Sequence, residues 1–282
     1  MSKIMILGAG GQLGREFVKL YPDSVKVYHS ISKLGRSVDF ADYATLSEIV
    51  SSEEPDVLIN AAALANVDLC EKNHVLAYAV NGEAPGILAR VCNDIGAKIV
   101  HVSTDYVFDG ILGRYSEESI PNPINYYGLS KLIGDVQVLL YPNSLVVRTS
   151  GVFGYTKNFP MFVLDTLKEG KQVKAIHGYY SPIHAANLAN AISELVVREE
   201  KGLINVAGER ISRYDFALRI ADAFSLQRSL VNKADDVASM MAKRPFDSSL
   251  DSTKALSLIK KDFSSIDSNI AAMKETLGLL RE

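Results

Sequence analysis

The stretch KIMILGAGGQLGREFVKLY, residues 3–21, decides the fold. KIMIL (3–7) is a short apolar run of the buried-strand type, and GAGGQLG interrupts it at once. REFVKLY then resumes with apolar residues at helical spacing. The order is strand, glycine turn, helix. Gly8, Gly11 and Gly14 fit a G-x-x-G-x-x-G spacing; G-x-G-x-x-G would need glycine at 13, where Leu13 stands. Either spacing gives a tight turn, close approach of backbone to a pyrophosphate, and a phosphate at a helix N-terminus. The turn therefore reads as dinucleotide-binding, with Gly8, Gly11, Gln12, Leu13 and Gly14 against the cofactor; a purely structural turn is the alternative.

Outward from this unit, strands and helices alternate. SVKVYHS (24–30) reads as the second strand and SVDF (37–40) as a short third. DYATLSEIVSSEE (42–54) follows as a helix, and DVLINAAA (56–63) as a fourth strand. A helix is expected from about 74 to 94, then strands AKIVHVST (97–104) and LVVRTS (145–150). This alternation predicts an α/β protein with a doubly wound, mostly parallel Rossmann sheet. Small side chains at Ala61, Ala62 and Ala63 would let a cofactor lie against a strand end, although simple packing explains them equally well.

The 282 residues suffice for one large or two ordinary domains. A net charge of −3, with no block of basic residues, argues against a nucleic-acid or anionic-membrane partner. The apolar runs fall short of the roughly 18 residues of a membrane span. MSKIMILGAGG enters a strand too early to leave room for a secretory signal. Cys70, Cys92 and five scattered histidines match no metal or redox spacing, so a reduced, cytoplasmic protein without a structural metal is expected.

After Pro123 the pattern turns helical, with Leu129, Leu132, Ile133, Val136 and Leu140 on one face. Tyr127 and Lys131 are four apart on that helix, so phenol and ammonium lie side by side. The cation is expected to draw the phenol pKa down from about 10 and prepare it for proton transfer to a carbonyl oxygen. A solvated helix face is the competing reading of the pair. The fifth strand ends in STDYVFDG (103–110), which puts Ser103 and Thr104 at the rim where a cofactor crevice opens.

A glycine turn near residue 8, a Ser/Thr at the end of the fifth strand and then Tyr-x-x-x-Lys resemble the extended short-chain dehydrogenases/reductases. HVSTDYVFDG, PNPINYYGLSK and VVRTSGVFG resemble dTDP-4-dehydrorhamnose reductase and its relatives, over residues 4 to about 255. The resemblance implies Thr104, Tyr127 and Lys131 as catalytic residues, with Tyr127 and Lys131 also at the cofactor. It implies substrate contacts at Thr104, Asp105 and Tyr106. Asn81 matches an asparagine of such enzymes or is an ordinary polar helix residue. Asp39 and Phe40 would flank the adenine, with helix capping as the other role for Asp39. Residues 1–150 and about 184–208 would form the NAD(P)-binding domain, and about 151–183 and 209–282 a smaller α/β substrate-binding lobe.

The implied reaction is NAD(P)H-dependent reduction of a nucleotide-bound 4-keto-6-deoxy sugar, with the proton from Tyr127. Lys243 or Arg244 would grip the diphosphate, unless they are solvated surface cations. The chain departs from relatives at Gly151, where they carry tryptophan, and at His177-Gly178-Tyr179-Tyr180-Ser181-Pro182-Ile183. Both departures fall in the substrate pocket. They also suit a second class, a cofactor-binding regulatory subunit resembling the methionine adenosyltransferase β subunit. No carboxylate follows the second strand before Asp39, so NADP(H) is expected to be preferred, with Ser30 and Lys33 as contacts and Arg36 as a further cation. NAD(H) remains an alternative if these are ordinary loop residues. Oligomeric state is left open, a homodimer being one option.

Overall fold

A computed structural model describes residues 2–29, 36–154, 156, 158–234 and 241–278; Ser30 and Lys33 lie outside the described residues. The dinucleotide-type unit comprises β1 (Ile4–Leu7), the glycine turn and α1 (Gln12–Leu20). β2 (Val25–Tyr28) and β3 (Arg36–Ser37) lead to α2 (Tyr43–Glu53), whose N-cap is Asp42, accepting from the Thr45 N–H at 3.1 Å. β4 (Val57–Asn60) precedes α3 (Val67–Lys72) and α4 (His74–Ala77). A π-helical turn, Tyr78–Glu83, joins α4 to α5 (Ala84–Asp94). β5 (Lys98–Thr104), α6 (Tyr126–Leu139) and β6 (Ser144–Thr149) follow. α7 (Phe159–Lys168), β7 (Val173–Ile176) and β8 (Tyr179–Tyr180) precede α8 (Ala185–Val197) and β9 (Gly202–Asn205). The chain closes with β10 (Ile211–Ser212), α9 (Arg213–Ala223), β11 (Val231–Ala234), α10 (Thr253–Leu258) and α11 (Ile266–Thr276).

Seven strands form one parallel sheet in the order β3-β2-β1-β4-β5-β6-β9 among the described residues. β1 pairs with β2 on one side and β4 on the other, so the connections diverge there. A crevice must open above the C-terminal ends of those strands. β1 and β4 are buried along their whole length, as strands covered on both faces must be. One face packs Leu13 and Phe17 of α1 against Leu188 and Ile192 of α8. The other packs Leu46 and Val50 of α2 against Leu88 and Val91 of α5. The sheet is thus doubly wound, as the alternation predicts.

A second core lies outside this sheet. Phe153, Val163, Leu164, Tyr180, Phe216 and Ile220 pack with Ile270 and Met273 of α11, while β7 pairs parallel with β11. Ala255, Ile259 and Phe263 belong instead to the core beneath the main sheet. Segment 253–263 therefore folds back across the two cores, and no tether separates them.

Several expected boundaries move. The fourth strand ends at Asn60, because the chain leaves the sheet at Ala61, which lines the crevice. The third strand is the pair Arg36–Ser37, and the helix expected over 74–94 is interrupted by the π turn. That turn crosses α6 at close range: a Cβ on Gly134 would lie 2.3 Å from the Asn81 carbonyl oxygen. The apolar stripe of α6 lies largely on its outer side. Leu129, Val136 and Leu140 face outward, at 40%, 56% and 74% exposed. The buried face carries Gly128, Lys131, Gly134, Asp135 and Val138. A Cβ on Gly128 would fall 2.0 Å from the Tyr106 carbonyl oxygen, so the helix lies too near its neighbours for large inward side chains.

Candidate active site

A cavity of about 300 Å³ opens at the C-terminal ends of the central strands, lined by Gln12, Leu13, Ala61, Ala63, Thr104, Tyr127 and Lys131. Four segments far apart in sequence meet there: the glycine turn, the β4 end, the β5 end, and the first turns of α6. A larger cavity, about 880 Å³, lies at the opposite end of the sheet between Lys3, Tyr21, Asp56 and Val197. It borders the strand N-termini, away from the topological switch, so size does not place the chemistry.

The glycine turn is built for close approach. Gly8 has φ +77°, and a Cβ there would meet the Ala62 nitrogen at 2.8 Å; a Cβ on Gly14 would fall 2.1 Å from the Gly8 carbonyl oxygen. Gly11 caps α1 without a side-chain bond, and no acid occupies the first turn. The helix N-terminus thus keeps backbone donors and positive potential for an anion. Gln12 ties this turn to the second lobe: its Nε2 donates to the Val152 carbonyl at 2.9 Å, and its Oε1 accepts from Asn158 Nδ2 at 3.1 Å. Gly14→Ala is expected to cost about 1–3 kcal/mol by forcing the turn away from α1. Denaturant unfolding checks this; an unchanged midpoint would refute the packing argument.

Thr104 ends β5, 5% exposed, and its Oγ1 accepts from the Tyr106 N–H at 3.2 Å and donates to Asp105 Oδ1 at 3.1 Å. Tyr127 sits in the first turn of α6, which Asn125 caps by accepting from the Gly128 N–H at 2.9 Å. Its phenol is pushed above the ordinary tyrosine value, first by burial, with the Thr104 hydroxyl pulling the other way. The expected depression of Tyr127 by Lys131 is therefore not found. The Lys131 stem is drawn inward, and its Nζ donates to the Val102 carbonyl at 2.8 Å and lies 3.2 Å from His101 Nε2. Helical spacing made the two residues neighbours; a buried carbonyl took the ammonium's first hydrogen bond.

Beneath Lys131 runs a buried polar chain with no motif in the sequence. Asn60 Nδ2 meets His101 Nδ1 at 3.2 Å, and Asp135 Oδ2 accepts from Arg148 Nε at 3.0 Å. Burial holds His101 well below its ordinary value and pushes Asp135 up despite the nearby Arg148. It also lowers the Lys131 amine to about 8, with Asp135 opposing. The only sequence signal was residue type: polar Asn60, His101 and Arg148 at strand positions that should be apolar.

The remaining expected site residues divide. Asp105, 3% exposed, accepts from Ser150 Oγ at 2.7 Å and from Ser248 Oγ, joining three segments at the cavity wall. Tyr106 borders an adjoining cavity, with its ring edge-on to Tyr127 at 5.8 Å between centroids. Asp39 is exposed, and its Oδ1 accepts from the Ala41 N–H at 2.9 Å; Asp42, not Asp39, caps α2. Phe40 is buried in the core beside α2. Ala61 and Ala63 line the cavity while Ala62 is buried. Arg36 pairs with Glu53. Arg244 is already engaged by Asp68 Oδ1 at 3.1 Å and the Ala242 carbonyl at 2.9 Å, and neither it nor exposed Lys243 lines either of these two cavities. Asn81 is fully buried, accepting from the Leu64 N–H at 2.8 Å and donating to Ser130 Oγ at 3.2 Å, so it braces the π turn against α6.

Gly151 and Tyr180 are physically linked. Gly151 has φ +51°, and a Cβ there would meet the Tyr180 ring at 2.6 Å. Tyr180 thus fills space that a side chain at 151 would need. It lines the adjoining cavity of about 170 Å³ with Tyr106, Phe159 and Arg213, whose guanidinium lies 4.6 Å over the Tyr180 ring. Among the described residues no group of three His, Cys, Asp or Glu could hold a metal, and no helix is long and apolar enough to cross a membrane.

Residues 2–278 match the family described as RmlD substrate binding domain. The chain is 36% identical to a dTDP-4-dehydrorhamnose reductase of Aggregatibacter actinomycetemcomitans, covering 98% of this chain and 100% of that protein. A crystal structure of a hypothetical dTDP-4-dehydrorhamnose reductase from Sulfolobus tokodaii superposes with a TM-score of 0.89 at 48% identity, covering 94% of this chain and 98% of that one. The Bacillus anthracis dTDP-4-dehydrorhamnose reductase, solved in complex with NADP, gives 0.87 at 27% identity over 96% and 98%. The methionine adenosyltransferase 2 β subunit of Bos taurus matches less strongly, at 29% identity over 89% and 81%. Fold, glycine turn and the Thr104-Tyr127-Lys131 cluster agree with these matches: the chain belongs to the RmlD substrate binding domain family, that of the dTDP-4-dehydrorhamnose reductases, which are NAD(P)-dependent oxidoreductases.

Proposed function

We propose that this chain reduces the 4-keto group of a dTDP-bound 6-deoxy sugar with NADPH, on residues Thr104, Tyr127 and Lys131. The observation that carries the reading is the meeting of these three with the glycine turn in one cavity. The dinucleotide fits the cradle at Gly8, Gly11 and Gly14, with its pyrophosphate at the uncapped α1 N-terminus. When bound it supplies the hydride. Tyr127 and, once its hydroxyl turns from Asp105, Thr104 donate hydrogen bonds to the substrate carbonyl oxygen, and Tyr127 gives its proton to the developing alkoxide. A phenol pushed upward by burial holds that proton at neutral pH, as a general acid must. Lys131 holds hydroxyls of the cofactor ribose and, once turned toward Tyr127, stabilises the phenolate left behind.

Residues 1–150 and 184–208 carry the cofactor, and residues 151–183 and 209–282 the sugar nucleotide. Asp105 and Tyr106 shape the wall between the two adjoining cavities. Asp39 accepts from the adenine, with Phe40 supporting that loop from the core. NADPH is preferred over NADH because the sequence after β2 holds no carboxylate before Asp39 to repel a 2′-phosphate. We place the protein in the cytoplasm, and the outward Leu129, Val136 and Leu140 of α6 favour a homodimer.

The test is NADPH oxidation by the purified protein with dTDP-4-keto-6-deoxy sugar, run in parallel with NADH. Substrate-dependent loss of NADPH is expected. Absence of turnover, together with co-purification of a larger enzyme, would move the reading to a regulatory subunit. Binding of NADH about ten-fold tighter than NADPH would overturn the cofactor assignment.

A further inference from the structure

The hydrogen-bond partners of His101 determine which of its ring nitrogens carries the proton. Asn60, 2% exposed at the end of β4, uses its Oδ1 to accept from the Ala62 N–H at 3.1 Å. That backbone donor orients the amide, so the Asn60 NH₂ group faces His101 Nδ1 at 3.2 Å as a donor. Nδ1 must then accept, and the proton of this fully buried, neutral imidazole sits on Nε2. Nε2 lies 3.2 Å from Lys131 Nζ. An ammonium has only donors. A charged Lys131 would therefore meet a second donor face to face, whereas a neutral amine accepts from Nε2–H and still donates to Val102. Asp135 Oδ1 offers Nε2–H no escape: it lies 3.9 Å away, beyond hydrogen-bond range, and has no partner of its own.

We infer that Asn60 and His101 are positioning residues that hold Lys131 as a neutral amine in the cofactor-free protein at alkaline pH, and that dinucleotide binding there takes up one proton from solvent at Lys131 Nζ. The second half rests on the cofactor reading above. A dinucleotide brings negative charge and hydroxyl acceptors into a crevice where Lys131 otherwise finds one carbonyl. The amine gains a proton and leaves His101 to serve the site. The ionisable groups around it are His101 from β5, Tyr127 and Asp135 from α6, and Arg148 from β6, which neutralises Asp135 at 3.0 Å. The uptake is confined by pH: with the resting amine near 8, Lys131 is neutral only above that value.

Two measurements test this. In the free protein, ¹⁵N NMR of His101 should show the proton on Nε2; a proton on Nδ1 overturns the resting-state half without reference to any cofactor. Calorimetry of NADPH binding in pairs of buffers with different ionisation enthalpies should show proton uptake at pH 9 that shrinks toward pH 7. Tyr127→Phe should keep that uptake, which separates Lys131 from the phenol. Asn60→Asp is near-isosteric and reverses the tautomer. Its carboxylate accepts from Nδ1–H, frees Nε2 to accept from an ammonium, and should reduce uptake at pH 9 at least about three-fold. Equal heats in both buffers at pH 9, with wild-type protein that binds NADPH, sink the coupling. No binding heat in any buffer overturns the cofactor reading and the coupling with it, while the tautomer still decides the resting state.

Discussion

Tyr127→Phe is expected to lower kcat by roughly 10²–10⁴-fold with little change in KM, because it removes only the proton donor. The ring stays edge-on to Tyr106, so packing is retained and the loss reads out chemistry. Two features make the phenol suited to donation. Burial keeps its proton on at neutral pH, and Thr104 lies beside it at the β5 end. Only in the transition state, as charge gathers on the alkoxide, does its donated bond become strong. Because the substrate is also held by its nucleotide, binding should survive. Measurement of NADPH oxidation across substrate concentration separates the two constants. Near-wild-type turnover would falsify the role assigned to Tyr127; a rise in KM alone would make it a binding residue.

The second large effect is on stability. Asp135→Asn is expected to cost about 3–5 kcal/mol, because it leaves the Arg148 guanidinium buried without its counter-charge. Arg148 is 3% exposed and Asp135 fully buried, so water cannot take the place of the lost partner. The same variant turns an amide NH₂ toward His101 Nε2–H or toward Arg148, adding a donor where an acceptor is needed. Replacing both partners, as Asp135→Leu with Arg148→Met, should recover much of the loss, since each ion then escapes its desolvation cost. Denaturant unfolding of wild type, single and double variants measures this. A single-variant loss below about 1 kcal/mol would place the pair among weak surface bridges and contradict its burial.

Much of the architecture is written in local pattern. A buried-type strand running into Gly8, Gly11 and Gly14, then an amphipathic α1, can fold in few ways, because a Cβ on Gly8 or Gly14 would collide with backbone. Regular alternation of short apolar runs with helices dictated the parallel sheet, and the order of Thr104, Tyr127 and Lys131 along the chain allowed them to meet at its C-terminal edge. These are properties of neighbours in sequence, and the sequence alone determined them.

Tertiary structure decided the rest, for one physical reason: burial and partner choice depend on what comes from elsewhere in the chain. The periodicity put the apolar residues of α6 on one face without saying where it points, and close approach of neighbouring backbone at Gly128 and Gly134 turned the small and polar face inward. Lys131 stands four residues from Tyr127, but its amine is claimed by Val102 and His101 from β5, so adjacency did not set the phenol's charge. Arg244 matched a phosphate-binding pattern and is held by Asp68, 176 residues away. Gly151 and Tyr180 stand far apart in the sequence, yet the Tyr180 ring fills the space that a side chain at 151 would need. Periodicity records which residues lie on a shared face; only the fold determines what that face meets, and so which proton, charge or cavity results.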